Sequence, residues 1–265
     1  MVDRPSIAYP KTIYNSQYKV GGSGPVLIYV SGLDGTGQLF FKQAPQLVRS
    51  YRVVTFRSRE HGRFAYQDLT DDLAAIIRDL SAEKATIVGE SFGGTVALSF
   101  ALRYPEMVER LVVINSFPRF RSRWRIRLAA ALTASLPFSL FQPARRAANL
   151  LGLHRDGVSR EDRRRFWQAI RTVSPEGYSR RLQLIAEFDI EDRLPEIKTP
   201  TLFIAGDRDL LIPSARQARA MAERMANATV KIIRGAGHAC LLGDRVRLDE
   251  LLREHLLEVG GALPE

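Results

Sequence analysis

The sequence predicts an α/β protein: a mostly parallel sheet with helices on both faces and an inserted helical segment. Three observations carry this expectation. Continuous apolar runs ending in glycine alternate with segments of helical period. One such run delivers a glycine-flanked serine straight into a helical segment. Residues 117–196 break the alternation, with helical stretches and Pro118, Pro137, Pro143 and Pro175 but no convincing β-run.

Taken in order, PVLIYVSG (Pro25–Gly32) is apolar throughout, as expected of a strand covered on both faces. YRVVTF (Tyr51–Phe56) is a second such strand. A helix is expected over Asp68–Leu80, where Leu69, Leu73, Ile76, Ile77 and Leu80 recur at helical spacing. ATIVG (Ala85–Gly89) is a third strand, Phe92–Tyr104 a helix ended by Pro105, and RLVVIN (Arg110–Asn115) a fourth strand. After the interruption come strand TPTLFIAG (Thr199–Gly206), a helix over Ser214–Met225 with Ser214 as its N-cap, strand ATVKIIRG (Ala228–Gly235) and a last helix over Asp244–Val259. The expected organisation is a core of residues 1–116 and 197–265, with 117–196 a helical cap inserted at the carboxyl ends of the strands, where open α/β sheets bind ligands.

Composition narrows the class. A single cysteine, Cys240, excludes an internal disulfide and is compatible with a reducing compartment. The N-terminal residues carry no apolar run of signal-peptide length, and Ala129–Phe141 is too short to span a bilayer, so a soluble cytoplasmic protein is expected. The formal net charge is +10, yet residues 117–196 hold sixteen arginines and no lysine against nine acids, seven of the excess charges. A patch, and not a uniformly basic surface, is implied; no nucleic-acid reader motif accompanies it, so nucleic acid is not an expected partner.

GESFG (Gly89–Gly93) fits the G-x-S-x-G elbow, with a strand before it and a helix after. A serine on so sharp a turn projects its hydroxyl, the N–H of Phe92 faces it at a helix N-terminus, and only glycine fits at 89 and 93. A hydroxyl at neutral pH attacks a carbonyl only when a base removes its proton and an acid fixes the tautomer of that base. Acid and base follow such an elbow later in the chain, each after a strand. Asp207 and Asp209 lie after the strand ending at Gly206, and His238 lies after the strand ending at Gly235. His61 precedes the serine, His154 falls in the insertion and His255 falls within the last helix, which leaves His238 as the base.

The elements SGLDGTG (Ser31–Gly37), REHGRF (Arg59–Phe64), GESFGG (Gly89–Gly94), AGDRDLLIP (Ala205–Pro213) and GAGHACLL (Gly235–Leu242) together resemble the α/β-hydrolase fold superfamily in its capped form, over nearly the whole chain. The resemblance implies that the acid is the second aspartate of G-x-x-D-x-x-x-P, Asp209, with Pro213 as the proline and Asp207 supporting the turn. It also implies that the Leu33 N–H joins that of Phe92 in an oxyanion hole; Ser31 stands where a histidine is usual. LDGTG is similar to the oxyanion loop of acyl-transferring relatives such as plant phytyl ester synthases. An aspartate at the elbow would mark dehalogenases or epoxide hydrolases; this chain has Ser91.

The expected activity is carboxylic ester hydrolysis through an acyl-enzyme on Ser91, His238 and Asp209, with no cofactor and no metal. Two alternatives stay open: a thioesterase or acyltransferase on lipophilic acyl groups, and a non-catalytic ligand-binding scaffold. Glu90 reads as a helix-terminus charge and Cys240 as a packing residue. In the insertion, Phe120, Trp124 and Leu128 share an i, i+4, i+8 stripe among arginines 119, 121, 123, 125 and 127. That stripe packs on the core, lines an acyl pocket with Trp124 and Leu128 as substrate contacts, or makes peripheral contact with an anionic membrane. Arg163–Arg165, ahead of Phe166 and Trp167, repeats the pattern. The expected partner is a small-molecule ester or other acyl compound.

Overall fold

A computed structural model describes residues 8–13, 16–135, 140 and 157–258. Its strands are β1 (Ala8–Ile13), β2 (Ser16–Gly21), β3 (Val26–Val30), β4 (Arg52–Phe56), β5 (Ala85–Glu90), β6 (Val108–Ile114), β7 (Thr201–Gly206) and β8 (Ala228–Ile233). They form one sheet in the order β1-β2-β4-β3-β5-β6-β7-β8. Pairing is antiparallel for β1 with β2 and β2 with β4, and parallel from β4 through β8. The apolar runs become the central strands for a physical reason: β3, β5 and β7 are buried at every residue, as both faces of a parallel sheet are covered.

One face carries α2 (Tyr66–Asp79), α3 (Phe92–Arg103) and α7 (Ser214–Ala222), and the other carries α1 (Ala44–Leu47) and α8 (Leu248–Glu258). The α2 stripe Leu69, Leu73, Ile76 and Ile77 packs with Ile28, Ile87 and Leu111 of the sheet. Leu248, Leu251 and Leu252 of α8 meet Leu27, Val88 and Val112 on the opposite side. The alternation of side chains along each strand divides the core in two. The structure departs from expectation at some element ends and in elements the sequence did not announce. The last helix starts at Leu248 instead of Asp244. The antiparallel pair β1–β2 and the single turn α1 are additional. Ser214 is the first residue of α7, not its N-cap: position 213 is the cap, and the Ser214 hydroxyl is engaged elsewhere.

Between β6 and β7 lie α4 (Arg123–Ser135), α5 (Arg160–Arg171) and α6 (Pro175–Glu187). Among the described residues of 117–196, extended pairing is confined to a bridge of Arg119 with Asp189. Serines open α5 and α6: Ser159 Oγ accepts from Asp162 N at 3.0 Å and Ser174 Oγ from Gly177 N at 3.2 Å. Polar contacts fasten these helices to the sheet domain. Lys42 Nζ donates to Asp162 at 2.8 Å, Asp244 N to Gly157 O at 2.8 Å, and Arg180 Nε to Phe64 O at 2.7 Å. The register aligns Val30 with Gly89, Gly89 with Val113 and Ile114 with Ile204, so the loops after β3, β5, β6, β7 and β8 all emerge at one rim.

Candidate active site

Ser91 stands between β5 and α3 with φ 54° and ψ −118°, a conformation that costs a non-glycine residue about 1–3 kcal/mol. Its surroundings hold it there. Ser91 N donates to Ile114 O at 2.8 Å, and Ser91 O accepts from Gly94 N at 3.0 Å and from Ser116 Oγ at 2.7 Å. The turn needs its glycines for room. A Cβ on Gly93 would lie 2.0 Å from Val30 O, and one on Gly89 would lie 2.4 Å from Gly93 O.

Three expected residues from distant parts of the chain converge here. His238 Nε2 is 2.9 Å from Ser91 Oγ, and His238 Nδ1 is 2.6 Å from Asp209 Oδ2. With the proton on Nδ1 donated to the carboxylate, Nε2 is left to accept from the hydroxyl. Asp209 is fixed on both oxygens. Oδ1 accepts from Leu211 N at 2.9 Å and Ile212 N at 3.2 Å, while Oδ2 also accepts from the Ser214 hydroxyl. Burial pushes this carboxyl up, but hydrogen bonds from His238, Ser214 and the Ile212 N–H outweigh it and hold the group below its ordinary value. Asp207 takes the turn-supporting position, accepting from Gly235 N at 2.7 Å.

Asn115, which the sequence analysis did not single out, joins the loops bearing acid and base. From φ 46° at the end of β6, its Nδ2 donates to His238 O at 2.6 Å and Gly237 O at 3.2 Å, and its Oδ1 accepts from Gly206 N at 2.9 Å. Asparagine tolerates this left-handed conformation better than most residues, and a small polar residue closing an apolar strand was the available signal.

The loop after β3 runs beside the elbow: the Cβ position of Gly32 is 3.4 Å from Ser91 Cβ. Residues 32–35 form a turn closed by Gly35 N donating to Gly32 O at 3.1 Å, with Leu33 and Asp34 at its centre. Among the described residues, neither Leu33 N–H nor Phe92 N–H donates to a protein acceptor.

Other expected residues fall elsewhere. Trp124 and Leu128, the expected substrate contacts, are 69% and 52% exposed on α4, whereas Ile126 and Ala130 occupy its inward side. Phe120 lies ahead of the helix and packs against Phe117, their ring centroids 5.4 Å apart. The stripe fails because α4 begins only at Arg123, so Phe120 has no helical phase with Trp124. Glu90 is buried and accepts from Tyr29 Oη at 2.5 Å; burial pushes its carboxyl up to about 7, against the lowering effect of Tyr29 and His238. The Cys240 thiol is buried and pushed up by that burial. His61 pairs with Glu176 at 2.9 Å, His255 Nδ1 lies 3.1 Å from Thr229 Oγ1, and His154 lies outside the described residues. Among the described residues no three His, Cys, Asp or Glu side chains are grouped to hold a metal ion, and no helix is long and apolar enough to cross a membrane.

A serine at a strand–helix elbow of a mostly parallel sheet, hydrogen-bonded to a histidine that follows the last strand, defines the α/β hydrolase class. The chain matches the alpha/beta hydrolase fold over residues 25–244 and belongs to that family. A relative from Caulobacter sp. (strain K31), named "Putative carbamate hydrolase RutD", is 31% identical over 232 residues, covering 80% of this chain and 83% of its own. A protein of the same name from Stutzerimonas stutzeri (strain A1501) is 27% identical over 94% of this chain and 97% of its own. Among solved structures, a hydrolase from Pseudomonas aeruginosa PA01 superposes with a TM-score of 0.77 at 23% identity, covering 93% of this chain and 94% of that one. A thermophilic esterase from Thermogutta terrifontis gives 0.74 at 22% identity, covering 97% of this chain and 99% of that one. These two likenesses concern the fold.

Proposed function

We propose that this α/β hydrolase cleaves small carboxylic esters through an acyl-enzyme on Ser91. The observation that carries the reading is the unbroken hydrogen-bond chain from Asp209 Oδ2 through His238 to Ser91 Oγ, at 2.6 and 2.9 Å. Ser91 Oγ adds to the carbonyl carbon while His238 Nε2 takes the hydroxyl proton, and Asp209 stabilises the resulting imidazolium. The carbonyl electron pair moves to oxygen, where the N–H groups of Leu33 and Phe92 receive it. Collapse expels the alkoxide, which takes the proton from His238. Water, deprotonated by the same nitrogen, then releases the acid and restores Ser91. The helices of 117–196 form the cap over this rim in the same reading, and the insertion supplies the acyl-pocket wall from side chains other than Trp124 and Leu128.

Carbamates are a second substrate class, favoured by the names of the relatives that this chain matches over most of its length. The chemistry is the same, with a carbamoyl-enzyme in place of the acyl-enzyme. The test is a panel of p-nitrophenyl esters of graded acyl length beside a p-nitrophenyl carbamate, run on wild type and Ser91→Ala. Hydrolysis that disappears with the serine, and fluorophosphonate labelling confined to Ser91, are the expected results. Turnover that survives Ser91→Ala would overturn the proposal. Free acid as the sole acyl product in the presence of added alcohols or thiols would exclude the acyltransferase alternative.

A further inference from the structure

We infer that Arg181, on α6 of the insertion, is a positioning residue for the oxyanion loop. The inference rests on the proposed role of Ser91 and Leu33. Arg181 is wholly buried, and the guanidinium is spent on backbone carbonyls: Nε donates to Leu33 O at 3.0 Å, Nη2 to Asp34 O at 3.3 Å and Nη1 to Arg59 O at 3.0 Å. Among the described residues no carboxylate lies within ion-pair distance of it.

The turn explains why those carbonyls need a partner. In Gly32–Leu33–Asp34–Gly35, closure uses Gly32 O and Gly35 N, so the two central carbonyls point away with no partner inside the turn. A buried carbonyl left without a donor is unfavourable, and the planar fork of arginine can serve several at fixed spacing. The fit is close: a Cβ on Gly35 would be 2.5 Å from Arg181 Cζ. Holding the Leu33 carbonyl fixes ψ of Leu33. With the Leu33 and Asp34 carbonyls held and the turn closed from Gly35 N to Gly32 O, little freedom is left to the preceding peptide, whose N–H is the proposed donor to the oxyanion. The third bond ties the same loop to the turn after β4, while the Arg59 side chain is anchored separately on Asp72 at 2.8 and 2.9 Å.

Packing alone would favour an apolar residue here, because burying a charge without an ion partner is costly. Burial lowers the guanidinium to about 10, so it remains charged at neutral pH. The cation therefore sits at an unfavourable position and orients the loop that runs beside the serine. Through Ser179 Oγ, which donates to Ala130 O of α4 at 3.3 Å, the same helix is joined to the rest of the insertion.

The experiment compares wild type, Arg181→Lys and Arg181→Gln for ester kcat and KM, for the inhibition constant of an arylboronate that forms a tetrahedral adduct on serine, and for Tm. Loss of one oxyanion donor costs about 10²–10³ in turnover, so loosening its loop should cost on the order of 10–100-fold in kcat. KM should stay within about threefold and boronate affinity should fall in parallel with kcat, the signature of an interaction made only in the transition state. Lys should retain more activity than Gln. Variants that fold yet keep kcat, or lose only KM with boronate affinity unchanged, overturn the inference. So does failure of both variants to fold, which would make Arg181 a folding residue alone. The wild-type arm separates the two levels. Absence of fluorophosphonate labelling at Ser91 in wild type would remove the proposed activity and this inference with it, whereas a labelled wild type with unaffected variants removes only the inference.

Discussion

Asp209→Asn is the sharpest probe of the proposed chemistry, because the structure dictates how the new amide must sit. Oδ1 of Asp209 receives two backbone N–H groups, from Leu211 and Ile212, so in the variant the amide oxygen must stay there. The NH₂ then takes the place of Oδ2, facing His238 Nδ1 and the Ser214 hydroxyl. Two donors cannot face each other, so the imidazole shifts its proton to Nε2 and presents N–H, not a lone pair, to Ser91. Base catalysis is lost although every heavy atom can stay in place. A wrong tautomer of this kind costs about 10⁴ in kcat, or about 5.4 kcal/mol of barrier at 1.36 kcal/mol per tenfold. The assay is p-nitrophenyl ester hydrolysis, with KM and the circular dichroism spectrum expected to be nearly unchanged. A variant keeping more than a tenth of wild-type kcat would refute the assignment of Asp209. A second signature is in stability. The folded-state pKa of Asp209 lies below its ordinary 3.8, so its contribution is present above that value and fades as pH falls through the lower folded value. Asp209→Asn should lack this part of the acid sensitivity in urea titrations carried from neutral pH to below 3.8.

Ser214→Ala removes a hydroxyl donor to the same carboxylate; a charged hydrogen bond contributes about 1.5–3 kcal/mol, so the Asp209 pKa should rise and kcat fall on the low-pH side of the rate profile, and an unchanged profile would count against the bond. Glu90→Gln tests a buried acid whose folded pKa is raised from 4.5 to about 7. A raised carboxyl contributes stability in full below 4.5 and loses it as pH climbs through 7, so wild type should lose up to about 3 kcal/mol relative to the variant between pH 4.5 and 8, read from paired urea melts. Gly93→Ala puts a methyl 2.0 Å from Val30 O, an overlap expected to yield little folded protein, and a normally stable variant would refute the packing of the elbow.

The sheet was legible because its central strands are buried on both faces and so are written as unbroken apolar runs. β1 and β2 escaped notice for the opposite reason: SQYKVG pairs near the sheet margin, carries polar residues and offers no such run. Ser91 and His238 were legible from chemistry and order, whereas Asp209 became distinguishable from Asp207 only through its resemblance to a family pattern. The insertion misled where a stripe was read through Phe120, which precedes the helix. Ser214 was read as a cap because serine after proline at a helix start suits that role, yet the nearby carboxylate competes for its hydroxyl. Arg181 left a trace that could have been followed. It falls with Gly177 and Ile185 at four-residue spacing on the buried side of α6, where an arginine contradicts the helical pattern.

Asn115 clasps the two loops through main-chain atoms, the carbonyls of residues 237 and 238 and the N–H of residue 206, and its side chain also meets the Cys240 thiol. Main-chain atoms do not change with the side chain, so the clasp is indifferent to which non-proline side chains stand at positions 210, 211 and 239. Libraries that diversify residues 210, 211 and 239 can therefore be built without loosening the geometry of the histidine, provided position 115 itself is left alone.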